Sequence, residues 1–229
     1  MMARWGMVID LDRCTGCGEC MAACHQENNL ATAGPEETVQ RSRAFHWLRL
    51  MPEFSGRYPE VKLRFLPQPC FHCDNPPCVR VCPVQATYLS EEGIVGQIYA
   101  RCIGCRYCMA GCPYNAKVFN WYEPKRPRGV ERGANPNVSL RPKGVVEKCT
   151  FCHHRIMRAR EEARAAGRPL RDGEVSTACA ESCPAQAIVF GDLDQPGSRV
   201  SQLARSPRAF RLHEDLGTRP KVTYLAEKG

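Results

Sequence analysis

Cys102-Ile103-Gly104-Cys105-Arg106-Tyr107-Cys108-Met109-Ala110-Gly111-Cys112-Pro113 is the stretch on which the reading of this sequence turns. Four cysteines spaced C-x₂-C-x₂-C-x₃-C close on a proline. Three further groups of four surround it: Cys14, Cys17, Cys20 and Cys24; Cys70, Cys73, Cys78 and Cys82; and Cys149, Cys152, Cys179 and Cys183. Together they account for all 16 cysteines of the 229-residue chain. The first group repeats the spacing with His25 in the proline position. The second widens one gap, Cys73-Asp-Asn-Pro-Pro-Cys78, and ends Cys82-Pro83. The fourth places 26 residues between Cys152 and Cys179 and ends Cys183-Pro184.

Three cysteines three residues apart let the backbone curl around one inorganic cluster, aiming thiolates and N–H groups at it. The run with a terminal proline is that of bacterial ferredoxins, in which the fourth cysteine ligates the other [4Fe–4S] cluster of a pair. A second repeat follows the cysteines. Cys82-Pro-Val-Gln-Ala-Thr-Tyr, Cys112-Pro-Tyr-Asn-Ala-Lys-Val-Phe and Cys183-Pro-Ala-Gln-Ala-Ile-Val-Phe share C-P-x-x-A and lead into strand-like segments. The proline should end the short helix that carries the last cysteine, and the alanine should let the chain turn closely.

The spacers suggest the pairing. Cys82 and Cys102 are joined by a hairpin-like stretch (Ala86-Thr-Tyr-Leu, Glu91-Glu92-Gly93, Ile94-Val-Gly-Gln-Ile-Tyr), as inside a two-cluster ferredoxin. Groups two and three then pair, and groups one and four pair around them. The expected ligand sets are Cys14, Cys17, Cys20 with Cys183; Cys70, Cys73, Cys78 with Cys112; Cys102, Cys105, Cys108 with Cys82; and Cys149, Cys152, Cys179 with Cys24. The fold expected is α+β: two nested two-cluster ferredoxin-like modules with a β-hairpin insertion, extended loops and a C-terminal tail. Residues 1–68 form the first part of the outer module, with the insertion at about 25–69. Residues 69–123 form the inner module. Residues 124–192 carry a loop, a helix and the second part of the outer module, and 193–229 a partner-binding tail.

In the insertion, His46-Trp-Leu-Arg-Leu and Val61-Lys-Leu-Arg-Phe-Leu alternate apolar and polar residues and read as two antiparallel strands. Residues 123–144, rich in Pro, Gly and Arg, read as an ordered or partner-bound loop or a solvated basic one. Arg155 to Ala166 reads as a helix stopped by Gly167 and Pro169. In the tail, short helices are expected around Val200–Ala204 and Ala209–Leu216, followed by Lys221-Val-Thr-Tyr-Leu, lying on the surface or on a partner because the segment has no cysteine and little core.

Other chemistries fit less well. Met1–Asp10 has no apolar stretch of signal-peptide length and no twin arginine, and the tight cysteine groups suit an ion or cluster better than disulfides. Zinc sites usually split into two distant C-x₂-C pairs, which only the fourth group resembles. Cys149-Thr-Phe-Cys152-His153 matches the haem attachment motif, but haem would strand Cys179 and Cys183. His72, between two cysteines, either hydrogen-bonds a sulfur or simply packs. The formal charge of +8 suggests nucleic acid until the clusters are counted. Each oxidised cluster with four cysteinates carries about −2, so the basic residues offset the clusters, and no nucleic-acid module accompanies them. No stretch approaches the length of a membrane span. No catalytic constellation or direct small-molecule site stands out, as befits a chain that relays electrons and is not an enzyme alone.

The four groups, with Phe71-His72-Cys73-Asp-Asn-Pro-Pro-Cys78 and Cys102-Ile-Gly-Cys105-Arg-Tyr-Cys108-Met-Ala-Gly-Cys112-Pro-Tyr, resemble the four-cluster iron–sulfur subunits of complex iron–sulfur molybdoenzymes. Polysulfide, tetrathionate and dimethyl sulfoxide reductases belong there, and the iron–sulfur part of alternative complex III is close. The resemblance covers residues 7 to about 192, and the presence of Cys105 favours four complete cubanes. It implies two partners: a large molybdopterin-type subunit, or its cofactor-free counterpart, and a polysulfide-reductase-type integral membrane subunit that handles quinone. It also implies a peripheral place on the membrane through those partners, on the extracytoplasmic face by co-export, with the cytoplasmic face as the alternative. The other functional readings are the quinol-to-cytochrome branch of alternative complex III, the relay of a hydrogenase or formate-linked complex, and a soluble polyferredoxin.

Overall fold

The computed structural model describes residues 3–31, 46–123, 129 and 133–228. Strand β1 (Trp5–Asp10), apolar along nearly its whole length, is buried on both faces. It sits inside a four-stranded sheet ordered β8–β1–β10–β9. Strand β8 (Ile188–Asp192) runs antiparallel to it, with Met7 opposite Phe190. Strand β10 (Val222–Leu225) runs parallel on the other side, with Met7 opposite Val222, and β9 (Ala209–Phe210) forms the edge. One face of the sheet carries Met7, Ile9, Phe190, Val222 and Tyr224 into the main core. The other carries Val8 and Leu225 against Val200 of helix α6 (Arg199–Ala204), whose first turn is capped by Ser198. Because β1 leads into the first cysteine group and β8 leaves the fourth, this sheet brings the two ends of the cysteine array together.

The tail therefore departs from expectation. Val222–Leu225 is buried at every position, so the segment completes the central sheet and does not lie on the surface. The alternation Val-Thr-Tyr-Leu suits a strand with two covered faces, and four residues suffice because the neighbouring strands are already in place. The helix at Val200–Ala204 forms. The one expected at Ala209–Leu216 does not, and is replaced by β9 and a 3₁₀ turn at Glu214–Leu216. Phe210 and Leu212, two residues apart, both pack on the main core, a spacing that an extended chain satisfies and a helix does not.

The hairpin insertion forms as β2 (Arg49–Arg57) and β3 (Glu60–Gln68), paired from Arg49–Gln68 to Arg57–Glu60. It starts later than the apolar alternation suggests, because Trp47 and Leu48 are consumed by the core. Its distal half projects. Register places Pro52, Phe54, Val61 and Leu63 on one face and the Glu53–Arg64 ion pair on the other. Between groups two and three, β4 (Thr87–Leu89) and β5 (Val95–Gln97) make the expected hairpin. After group three, β6 (Val118–Phe119) pairs with β7 (Val146–Glu147), just ahead of group four. Helix α4 (His153–Ala165) follows Cys152 and stops before Gly167.

Of the basic stretch 123–144, residues 124–128 and 130–132 lie outside the described residues. Its last part turns inward: Arg141 pairs with Glu147 at 2.9 Å, both side chains 2% exposed, and the guanidinium lies 5.0 Å over the Trp47 ring. Two rows of aromatic rings run through the core. Tyr114, Phe71, Tyr224 and Phe210 form one; His72, Phe151, Phe190 and Trp5 form the other.

Helix α1 (Glu19–Glu27) is locked to α4 at its C-terminal end. Arg155 grips the Glu27 carboxylate through Nε at 2.6 Å and Nη2 at 2.8 Å, and His154 Nε2 lies 2.6 Å from it. The Arg155 guanidinium, working against burial and helped by His154, pulls the Glu27 carboxyl down to about 2. A depressed folded-state pKa means that this stabilisation is complete above the unfolded carboxylate value near 4.3 and is lost as pH falls toward about 2. Glu27→Gln should therefore destabilise the chain by about 1–3 kcal/mol at neutral pH. Rates of thermal colour loss measured against pH should converge for the variant and the wild type as pH falls through that window.

Candidate metal centres

Each cysteine group is built from the same backbone device. The residue before the second cysteine has positive φ in all four: Gly16 (71°), His72 (43°), Gly104 (71°) and Phe151 (55°). This left-handed residue reverses the C-x-x-C loop so that two thiols face one point. Glycine is required in two of the four. A Cβ at Gly16 would overlap the Phe65 ring, and one at Gly104 would meet the Gly144 carbonyl. In the other two loops the left-handed residues carry rings, and His72 stacks on Phe151 with centroids 3.8 Å apart. Equivalent positions of the second and fourth loops thus touch.

The third cysteine of each group lies on a helix: Cys20 on α1, Cys78 on α2 (Pro77–Arg80), Cys108 on α3 (Tyr107–Ala110) and Cys179 on α5 (Ala178–Glu181). The expectation for the fourth needs correction. Helices α2, α3 and α5 end before Cys82, Cys112 and Cys183, which occupy the following turn. Only Cys24, followed by His25 and not by proline, is carried on its helix, which runs on to Glu27. Proline's disfavour for a helical residue ahead of it accounts for the difference.

The C-P-x-x-A repeat is now explicable. Gln85, Asn115 and Gln186 are left-handed at the same step (φ 52°, 49° and 48°). Their N–H groups donate to the Cys82, Cys112 and Cys183 carbonyls at 3.2, 3.1 and 3.0 Å. The next N–H then turns onto the cysteine's own sulfur, Ala86 to Cys82 Sγ at 3.2 Å and Ala187 to Cys183 Sγ at 3.3 Å. Alanine is needed because Ala86, Ala116 and Ala187 are buried against the loop.

Electrostatics show which thiols are neighbours. Burial, then Cys14, Cys183 and Cys17, push the Cys20 thiol up to about 12. Burial, then Cys149, Cys179 and Cys152, hold Cys24 well above the usual thiol value. Burial together with Cys70, Cys78 and Cys112 pushes Cys73 up to about 12. Burial also raises Cys108, with Cys102 and Cys82 beside it. Cys82 goes the other way: against the cost of burial, the N–H groups of Thr87, Val84 and Ala86 draw it below the usual value. Each fourth cysteine thus stands among thiols of the partner group.

Buried thiols set beside one another cannot ionise together without a positive group among them. Iron supplies that charge, and the surroundings are already set to receive thiolates. Phe151 N–H points at Cys149 Sγ (3.4 Å), Val146 N–H at Cys102 Sγ (3.5 Å), and Asn28 Nδ2 at Cys24 Sγ (3.7 Å); the Thr177 hydroxyl lies 3.2 Å from Cys179 Sγ. His72, fully buried one residue before Cys73, accepts from Val95 N–H at its Nδ1 (3.2 Å), which places the proton on Nε2, toward the Cys149 backbone. The donor set therefore fits sulfur-ligated iron. Of these features, the left-handed residue before each second cysteine was visible as glycine in groups one and three. In His72 and Phe151 nothing in the sequence announced it.

Comparison with known proteins agrees. Residues 13–86 and 61–127 each match a 4Fe-4S dicluster domain. The iron–sulfur cluster-binding subunit of menaquinone reductase from Nitratidesulfovibrio vulgaris is 53% identical over 98% of this chain and 89% of its own length. A putative dimethyl sulfoxide reductase iron–sulfur subunit from Halobacterium salinarum is 43% identical over 98% and 79%. The iron–sulfur subunit of arsenate respiratory reductase from a Shewanella species is 35% identical over 99% and 97%.

Gly16→Val tests the loop geometry. A branched side chain at a left-handed residue that already touches Phe65 should cost one cluster, about four irons per chain. Iron analysis of the purified variant checks this, and Gly129→Val, at a site open to solvent, should retain full iron.

Proposed function

This chain belongs to the family of iron–sulfur subunits of multi-subunit reductase complexes, and from that premise we propose how its four [4Fe–4S] clusters are held and in what order electrons cross them. It is an electron-transfer subunit with no catalysis of its own. The ligand sets we propose are those that bring each fourth cysteine to the partner group: Cys14, Cys17, Cys20 and Cys183; Cys149, Cys152, Cys179 and Cys24; Cys70, Cys73, Cys78 and Cys112; and Cys102, Cys105, Cys108 and Cys82. The observation that carries this assignment is the mutual electrostatic pressure among those same thiols.

The proposed route is linear. Cys20 of the first set acts on Cys24 and Cys179 of the second, so these nests adjoin. Cys70 acts on Cys149, which sets the third nest beside the second. Cys78 and Cys108 share the nearby Lys117, which joins the third to the fourth. The two exposed cysteines, Cys17 and Cys105, fall at opposite ends of this row. Electrons would enter at one and leave at the other.

Both ends offer apolar surface for partners. Ile103 and Tyr107 are exposed beside Cys105. At the other end Phe65 lies against Gly16, and the exposed Pro52, Phe54, Val61 and Leu63 continue along the same hairpin. Such patches mark docking surfaces. We assign them to a large molybdopterin-type subunit and to an integral membrane subunit of the polysulfide-reductase type that exchanges electrons with quinone. No helix among the described residues is long and apolar enough to cross a membrane, so attachment would run through that second partner. The extracytoplasmic face is the side we propose, by co-export with the large subunit.

Anaerobic purification should recover the chain with both partners, and a soluble monomer as the native form would overturn their assignment. In an EPR-monitored titration, Cys183→Ser and Cys17→Ser should alter the same signal and Cys152→Ser a different one. If Cys183→Ser instead matched Cys152→Ser, the exchange of fourth ligands would be wrong.

A further inference from the structure

Thr87, Lys117 and Ile188 occupy one and the same step of the three C-P-x-x-A-x repeats. In the inner module the first two meet. Lys117 Nζ donates to Thr87 Oγ1 and to Gln97 Oε1, both at 3.1 Å, and the Thr87 hydroxyl donates to Gln97 Oε1 at 2.8 Å. Lys117 is 2% exposed, and among the described residues no carboxylate pairs with it.

Two of the other deep cations have a carboxylate partner. Arg141 has Glu147 at 2.9 Å, and Lys221 has Asp74 at 2.7 Å. Lys148 donates to the Cys149 carbonyl at 2.6 Å, and acts on Cys78 as well. An ammonium held only by neutral oxygens is costly to bury unless an anion lies close by. The thiols on which Lys117 acts belong to both inner sets: Cys78 and Cys112 in one, Cys108 in the other. The same step in the outer module is Ile188, an apolar residue paired with Ile9 in the central sheet.

We propose that Lys117 is a charge-tuning residue of the relay, neutralised by the two inner clusters and raising their reduction potentials. A cluster gains negative charge on reduction, so a fixed cation between two clusters favours the reduced form of each. This inference rests on the ligand sets proposed above.

The test is a reductive titration followed by EPR on the anaerobically purified, cluster-loaded protein. A unit charge about 10 Å away at an effective dielectric of about 20 alters such an equilibrium roughly tenfold, which is about 59 mV for one electron. Lys117→Gln should lower both inner potentials by that order and leave the outer two in place. Lys117→Arg should retain the wild-type values. Gln97→Glu, isosteric with the native residue, gives Lys117 an anionic partner and should lower the same two potentials, so it decides the matter if Lys117→Gln fails to assemble. Lys228→Gln, on the surface, should change nothing. Unmoved inner potentials at full iron in the assembled variants would overturn the role of Lys117. A wild-type protein with far fewer than about sixteen irons would instead overturn the reading on which it rests.

Discussion

Thiolates cannot share a water-poor site unless something positive sits among them, and more than half of this chain's 16 cysteines are buried among other cysteines. Most of the cysteine thiols with a resolved shift are driven upward, and burial is the first cause in each. Without iron the chain would have to keep its cysteines protonated and give up the N–H···S bonds that line the loops. With iron, the same burial insulates the clusters and the same N–H groups stabilise the thiolates. The polypeptide is folded around its inorganic contents, as small metal-dependent domains are.

That dependence explains the architecture. Helices α2, α3 and α5 are single turns, too short to be stable alone, and each is held by the cysteine it carries. The longer connections are the central sheet, the aromatic rows and the α1–α4 lock through Glu27 and Arg155. The sheet sets Met7 between Phe190 and Val222, residues from three distant parts of the chain. The stacked His72 and Phe151 join the second cysteine group to the fourth at the equivalent turn of two loops.

Much of this was legible beforehand, because cysteine spacing is a direct statement of local geometry. The four groups, the hairpin at 49–68, the small hairpin at 87–97 and the helix after Cys152 all follow from short-range pattern. What escaped was long-range. Val222-Thr-Tyr-Leu is only four residues and gives no hint that β1 and β8 leave a strand position for it. His72 and Phe151 are ordinary ring residues whose left-handed backbone is imposed by the thiols on either side. Lys117 reads as one basic residue among 32 Lys and Arg, and only the meeting with Thr87 and Gln97 shows that it is buried and not in solvent.

The proposed relay stands or falls on position: four iron clusters in one row, with Cys17 and Cys105 at its ends. Anomalous diffraction at the iron absorption edge, from crystals grown without oxygen, would locate the metal outright. Four compact iron peaks per chain are expected, each centred among one of the four crossed cysteine sets, in a single unbranched line. Fewer peaks, peaks the size of a single ion, or a cluster held by one uncrossed group such as Cys14, Cys17, Cys20 and Cys24 would contradict that arrangement.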